Sequence, residues 1–406
     1  MRIDVDIAIF GSGISGLWTY RLLKEKGYQV VLFEEKELGG VQTLASQGMI
    51  HGGQRYILQG GLTEHYHSIR NMPKIWNDCF KGEGDIDLRD VKILSKVQHL
   101  FSKDNAVSRL IDSFSSEKIK TEVHKLKKDK LPSIFQLSPH IGNDTYEMPE
   151  PVIDCKSLIK VLSQDYLNNI IHAKTKKIEK SKDSISNVVL EVIKNDKREE
   201  ISVKAKCYVF AAGSGNTVFS NELHQQKTTT QSRPLAQIIC RTLPHPIYGH
   251  YVDSNPRPRF TISAHPSLLE DGYIWYIGGR LAEEAVISSE EEALLKTYKE
   301  LEKCFPNIKW SETEWGIHKV TRAEPLTKLG RLPIGPEIKK ISNSILAWPI
   351  KLTFAPLLGT LIEKSIRELG ISINKNKVTL IANSPIIGSY PWENFNWISL
   401  SKTQIK

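Results

Sequence analysis

The chain has 406 residues, enough for two or three structural units, and its composition of 40% hydrophobic and 25% charged residues argues against wholesale disorder. Five scattered cysteines (Cys79, Cys155, Cys207, Cys240, Cys304) with no CxxC pair argue against a disulfide framework or zinc site, and no apolar run reaches membrane-spanning length. Lys and Arg exceed Asp and Glu by 55 to 46, yet the excess is interleaved with acids, as over 117–130 and 174–183, which reads as solvated surface rather than a nucleic-acid groove.

Val5 to Phe10 is a short apolar run ended by glycines, as a buried parallel strand should be. It leads straight into a glycine motif, so the N-terminus reads as a first strand and not as a signal peptide. Leu17, Tyr20, Leu22 and Leu23 then mark a helical face, Gly27 a helix stop, and Val30 to Phe33 a second strand. Together they make one βαβ unit. Residues 40–60 are glycine-rich with few charges, which suits a segment packed on a ligand. Over 65–145 the pattern is helical and charged. A helix is expected from Cys155 to Tyr166, then strands at Val188–Ile193 and Ile201–Phe210. Short β runs rich in Tyr, Ile and Trp fill 235–305, ending in a helix from Ser289 to Cys304. A strand at Ile345–Trp348 and a helix at Leu357–Leu369 follow, before a tail with no clear period.

The fold class expected from this order is α/β: a Rossmann-like nucleotide-binding domain with an inserted, mainly antiparallel β substrate domain. The discontinuous binding domain would take 1–70, 150–235 and 320–375. A helical insertion would take 75–145, the β-rich substrate domain 236–319 and the tail 376–406.

Gly11-Ser12-Gly13-Ile14-Ser15-Gly16 follows a strand and opens a helix. The first glycine permits a tight turn, the second close approach of backbone to a pyrophosphate, and the third helix–strand packing, while the helix N-terminus favours the negative charge. Glu34 ends the second strand, where a carboxylate can accept hydrogen bonds from ribose hydroxyls. No second GxGxxG is present, which disfavours direct use of NAD(P)H.

The run Val30 to Glu35, Gly39-Gly40, then Thr43 to Met49 resembles the flavoprotein superfamily of D-amino-acid oxidase, glycine oxidase among them. So do Phe210 to Gly213, Arg322 followed by Gly330 to Gly335, and Leu352 to Gly359. That resemblance implies FAD as cofactor. Beyond the glycine motif it implies cofactor contacts at Glu34, Glu35, Gly40, Thr43, Gln47 and Gly48. Further along the chain it implies contacts at Lys177, Ala212, Gly213, Lys351, Leu352 and Thr353. Two segments look instead like FAD-linked glycerol-3-phosphate dehydrogenases: His51-Gly52-Gly53-Gln54-Arg55-Tyr56 and Lys351-Leu352-Thr353.

Oxidation in either family passes a hydride from carbon to the flavin while a base accepts a proton from nitrogen or oxygen. Arg55, Arg322 and Lys351 are candidates to clamp a small anionic substrate, and His51 is the candidate base for an alcohol. Taken alone, each can equally be a structural salt bridge or a hydrogen-bonded core histidine, but Arg322 lies within matched segments and is read as functional; a covalent flavin link through His51 is a further option. Tyr248, Tyr273 and Tyr276 can line a pocket or fill a core. His65 and His67 lack a convincing ligand spacing, so no metal is expected.

The leading expectation is dehydrogenation of a small anionic amine or amino acid, with oxygen or a quinone as electron acceptor. Oxidation of a 2-hydroxy acid or polyol phosphate is the alternative, and a tRNA-modifying or non-catalytic flavoprotein stands behind both. A cytoplasmic location is expected, with peripheral contact at the inner face of a membrane left open and oligomeric state unknown.

Overall fold

The computed structural model describes residues 2–53, 69–112, 123–194, 197–224, 229–255, 257–267, 271–374 and 382–400. In chain order the first half forms β1 (Arg2–Phe10), α1 (Ile14–Glu25), β2 (Val30–Glu34), α2 (Met72–Lys81), β3 (Ile93–Ser95), β4 (Gln98–Phe101), α3 (Ala106–Asp112), β5 (His124–Lys125), β6 (Thr145–Met148), β7 (Val152–Ile153) and α4 (Cys155–Ser163). Next come β8 (Ile170–Ser181), β9 (Ser184–Lys194), β10 (Lys197–Phe210), α5 (Asn216–His224), β11 (Thr230–Leu243), β12 (Tyr248–Tyr251), β13 (Phe260–Pro266) and β14 (Tyr273–Gly278). The rest is α6 (Arg280–Glu284), α7 (Glu290–Cys304), β15 (Glu314–Pro325), β16 (Glu337–Ile341), β17 (Ser344–Trp348), α8 (Ala355–Glu368) and β18 (Ile398–Ser399).

Strands β8, β2, β1, β10 and β17 lie side by side and parallel, as the apolar runs require when both faces are covered. One face packs on α1, α4 and α8 through Leu17, Trp18, Leu158, Leu162, Leu358 and Ile362. The other is covered by the β8–β9–β10 meander through Val188, Leu190 and Val203, together with the stacked rings of Phe10, Phe33 and Phe210. Close approach of α1 and α8 depends on Gly359, where a Cβ would stand 2.9 Å from Trp18 Cδ1.

The second sheet has nine strands in the order β18-β15-β11-β14-β13-β12-β4-β6-β5, antiparallel except between β4 and β12. Its alternation splits the side chains between two cores. Ile239, Ile274 and Tyr276 join the core shared with the nucleotide-binding unit. Ile238, Cys240, Trp275 and Ile277 face α7, whose Ser289 cap and Glu292 form a reciprocal capping box.

The stretch 75–145, expected to be a helical insertion, carries α2, α3 and two short helices (Ser133–Gln136 and Pro139–Gly142), while β4, β5 and β6 extend the nine-stranded sheet. These strands are four residues or fewer and surrounded by charged turns, so period-2 alternation has too little length to register. The aperiodic tail also has a defined course. Tyr390 and Trp392 stack at 4.5 Å and close over His265, while β18 pairs with β15 and Trp397 lies under Arg241. Among the described residues no helix is long and apolar enough to cross a membrane.

Burial holds two histidines neutral. His265 on β13 and His99 on β4 are each lowered to about 4 from an ordinary 6.5. Between those values the unfolded chain binds protons that the folded chain refuses, so stability falls as pH drops through the window. Urea unfolding at about pH 7 and about pH 5 should show this loss. His265→Phe should reduce it, and an unchanged pH slope in that variant would contradict the assignment.

Candidate functional site

The turn after β1 is shaped by contacts that only glycine allows. Gly11 has φ +100° and sits so close to the end of β10 that a Cβ would be 2.7 Å from Ala211 O. A Cβ on Gly16 would be 1.8 Å from Gly11 O. At Gly13 the nearest atom would be Thr43 Oγ1 at 3.5 Å, which leaves the approach to the start of α1 open. Helix α1 has no side-chain cap at Gly13 and no acid in its first turn, so its N-terminal dipole is uncompensated by the protein. Among the described residues, Ile14 N–H of that first turn donates to Thr43 Oγ1 at 2.9 Å. Glu34 fixes the rim: its Oε2 accepts Ser12 N–H and Ser12 Oγ–H, both at 2.7 Å. Ser15 is buried inside α1, behind the loop.

Residues 39–53 form a seam between this turn and the large sheet. Gly39 N–H donates to Ser12 O, and Gln42 Oε1 accepts from Ala323 N–H on β15 at 3.1 Å. Gln47 Nε2 donates to Tyr276 O at 2.7 Å and Thr261 O at 3.1 Å, while its Oε1 accepts from Thr261 Oγ1 at 2.6 Å. Gly48 has φ +67°, and a Cβ there would be 2.1 Å from Ile153 O. Gly40 lies against Glu37 and Gly388 of the tail.

Beyond the seam a buried polar group collects around His51. Its backbone O accepts from Thr353 Oγ1 at 3.2 Å, and Trp76 Nε1 donates to Thr353 O at 3.0 Å. The next amide, Gly52 N–H, donates to Glu150 Oε1; Glu150 Oε2 is 3.7 Å from His51 Nδ1. The His250 ring lies 5.6 Å from that of His51, and His250 Nε2 is 2.9 Å from Gln98 Oε1. Arg322 is half-buried on β15, directly across from Arg233 of β11 and one residue before the amide that Gln42 binds. Arg233 is held by Glu324 at 3.0 Å. Cys155, beside Ser46, is pushed up to about 12 by burial, so it stays a thiol.

The glycine motif, Glu34, Thr43, Gln47 and Gly48 therefore converge with the end of β10, where Ala212 N–H is held by Asn216 and Gly213 (φ +58°) lies against Gln42. His51 and Thr353 meet although 302 residues apart. Lys351 and Leu352 lead into that contact, with Lys351 Nζ 5.9 Å from the Phe354 ring. Two residues stand apart. Lys177 turns to solvent on the β8–β9 hairpin and pairs with Glu179 at 3.0 Å; Glu35 pairs with Lys174 at 3.4 Å. Arg55, Glu64, His65 and His67 lie outside the described residues. Tyr276 is core, its hydroxyl lying between Ala45 O and Gln237 Oε1, whereas Tyr248 and Tyr273 pack against the core on the other face of the sheet.

Sequence reading missed Glu150, Gln98 and His250. Gln98 and His250 lie in four-residue strands and carry no motif. Glu150 did leave a trace, a carboxylate between Pro149 and Pro151, a rigid turn that invites a specific backbone contact.

The chain matches the family of FAD dependent oxidoreductases (DAO) over residues 6–362. It belongs to that family. The probable FAD-dependent oxidoreductase PA4991 of Pseudomonas aeruginosa is 31% identical over 394 residues, covering 96% of this chain and 98% of its own. The crystal structure of that protein superposes with a TM-score of 0.81 over 97% of this chain and 98% of the other, at 26% identity. Glycine oxidase from Geobacillus kaustophilus shares the fold at TM-score 0.62 and 14% identity, over 91% of this chain and 96% of its own. Iminodiacetate oxidase from Chelativorans sp. does so at 0.61 and 15%, over 94% and 100%. The resemblance to the D-amino-acid oxidase superfamily is borne out.

The cofactor of this FAD-dependent family member is FAD. The cradle fits it: an anion at the open start of α1 and hydroxyls at Glu34 are what a dinucleotide offers. Gly16→Val should give a folded protein without flavin absorbance, because its side chain would displace the turn from β10. Glu34→Gln should weaken FAD about tenfold, the loss of one charge-assisted hydrogen bond. Equilibrium dialysis against FAD checks both, and wild-type affinity in Gly16→Val would contradict the cradle.

Proposed function

We propose that this enzyme oxidises the CH–NH bond of a small amino or imino acid. The observation that carries the reading is the position of Arg322, half-buried on β15, the strand whose next amide is bound by Gln42 of the seam. A guanidinium there can hold a carboxylate bidentately and so fix the α-carbon for transfer. FAD supplies the hydride acceptor. The protein's part is to bind the carboxylate, aim the C–H bond and let the nitrogen proton leave. Glycine oxidase, iminodiacetate oxidase and an L-proline dehydrogenase from P. horikoshii share the fold, and their names fit such a substrate. Oxygen or a quinone would reoxidise the flavin.

One observation favours a second reading. The two segments similar to glycerol-3-phosphate dehydrogenases meet through Thr353 Oγ1 and His51 O, which puts a candidate base beside the turn that carries Lys351. That arrangement would suit a 2-hydroxy acid or polyol phosphate, whose hydroxyl proton needs an acceptor.

Anaerobic addition of glycine, sarcosine, L-proline, iminodiacetate, L-2-hydroxyglutarate or glycerol 3-phosphate to the FAD-loaded enzyme separates the two. An amino or imino acid should bleach the flavin, and Arg322→Leu should raise the half-saturating concentration at least about a hundredfold. Bleaching by a hydroxy compound alone would overturn the leading reading.

A further inference from the structure

The polar group around His51 has more order than a satisfied core histidine requires. Gln98 is fully buried, and its Nε2 lies 3.3 Å from Ile50 O and 3.4 Å from Pro151 O. Carbonyl oxygens only accept, so the amide nitrogen must face them and the amide oxygen must face His250. His250 therefore donates from Nε2 to Gln98 Oε1, the tautomer that in a neutral imidazole leaves the lone pair on Nδ1. At His51 the bias is opposite. Glu150, 2% exposed, spends Oε1 on Gly52 N–H and brings Oε2 to 3.7 Å from His51 Nδ1. A carboxylate at that atom favours a proton on Nδ1 and leaves the lone pair on Nε2.

We propose that Glu150 and Gln98 are positioning residues that fix the proton-bearing atoms of a His51–His250 acid–base pair. The proposal rests on the reading that substrate is oxidised beside His51. Gln98 joins the two halves physically, since its two carbonyl partners belong to the residue before His51 and the residue after Glu150. Thr353 anchors the same loop from the opposite side. When substrate loses a proton from nitrogen or oxygen, His51 Nε2 takes it, and the Glu150 carboxylate stabilises the imidazolium. His250 Nδ1 is the second acceptor. Among the described residues, the elements meeting here also carry Lys351, on the turn with Thr353, Tyr248 and Tyr251 on β12, and Glu147 on β6 opposite His99. His99, next to Gln98, points away and contacts Tyr248 O at 3.2 Å.

Nitrogen NMR of the FAD-loaded protein labelled at histidine tests this without substrate, with signals assigned through His51→Asn and His250→Asn. His250 should carry its proton on Nε2. Glu150→Gln keeps an oxygen for Gly52 N–H but removes the charge, so the proton affinity of His51 should fall about tenfold, with flavin absorbance and thermal midpoint retained. Gln98→Glu should act in the opposite sense and raise the proton affinity of His250, which covers a Glu150 variant that fails to fold. A proton on His250 Nδ1, or an unmoved His51 titration in Glu150→Gln, would overturn the inference. Failure of every amino and hydroxy acid to bleach the flavin would instead count against the function proposed above, and the NMR result would stand apart from it.

Discussion

Segment 39–53 has to satisfy two sets of hydrogen-bond partners at once, and the relation of the glycine turn to the nine-stranded sheet depends on it. Its first residues bond to the glycine turn through Gly39 and Ser12. Gln42 and Gln47 then reach β15, β13 and β14. At its end His51 and Gly52 are held by Thr353 and Glu150. A loop buried between two units cannot leave backbone groups unpaired, because each orphaned group costs about 1–3 kcal/mol. The segment answers that cost with side-chain amides, which offer a donor and an acceptor together. Gln47 uses both on one strand pair.

Glycine at Gly48 follows from the same constraint. Positive φ and the carbonyl of Ile153 leave no place for a side chain, so a larger residue would push the seam off β7. The tail adds a second tie. Tyr390 and Trp392 lie across His265 and Tyr276, and Tyr390 accepts a hydrogen bond from Lys156 N–H at the start of α4. The two units are therefore held together by polar contacts at the cofactor and by stacked rings behind it.

Local periodicity made the nucleotide-binding unit readable. Val5–Phe10, the glycine motif, Val30–Glu34 and the later strand and helix near 345–368 all lie where the pattern put them, because a parallel sheet covered on both faces forces long apolar runs. The nine-stranded sheet was readable only in part. Its long strands carry alternation, but β4, β5 and β6 are set by their neighbours and left no local signal. At the site, residues in motifs were legible and residues that act through register were not. Gln98, Glu150 and His250 became visible only when β4, β12 and the Pro149–Pro151 turn were seen side by side. Lys177 shows the converse: a candidate implied by the resemblance alone, outside any quoted motif, whose exposed side chain pairs with Glu179.

The central claim is that the cofactor cradle and the nine-stranded sheet respond as one unit through the seam. Hydrogen exchange of the apoprotein with and without FAD tests it most directly. The account predicts that FAD slows exchange in 9–20, in 42–52 and in strands 260–266 and 273–278 together. Protection confined to 9–20 and 30–36, with the large sheet unchanged, would contradict it.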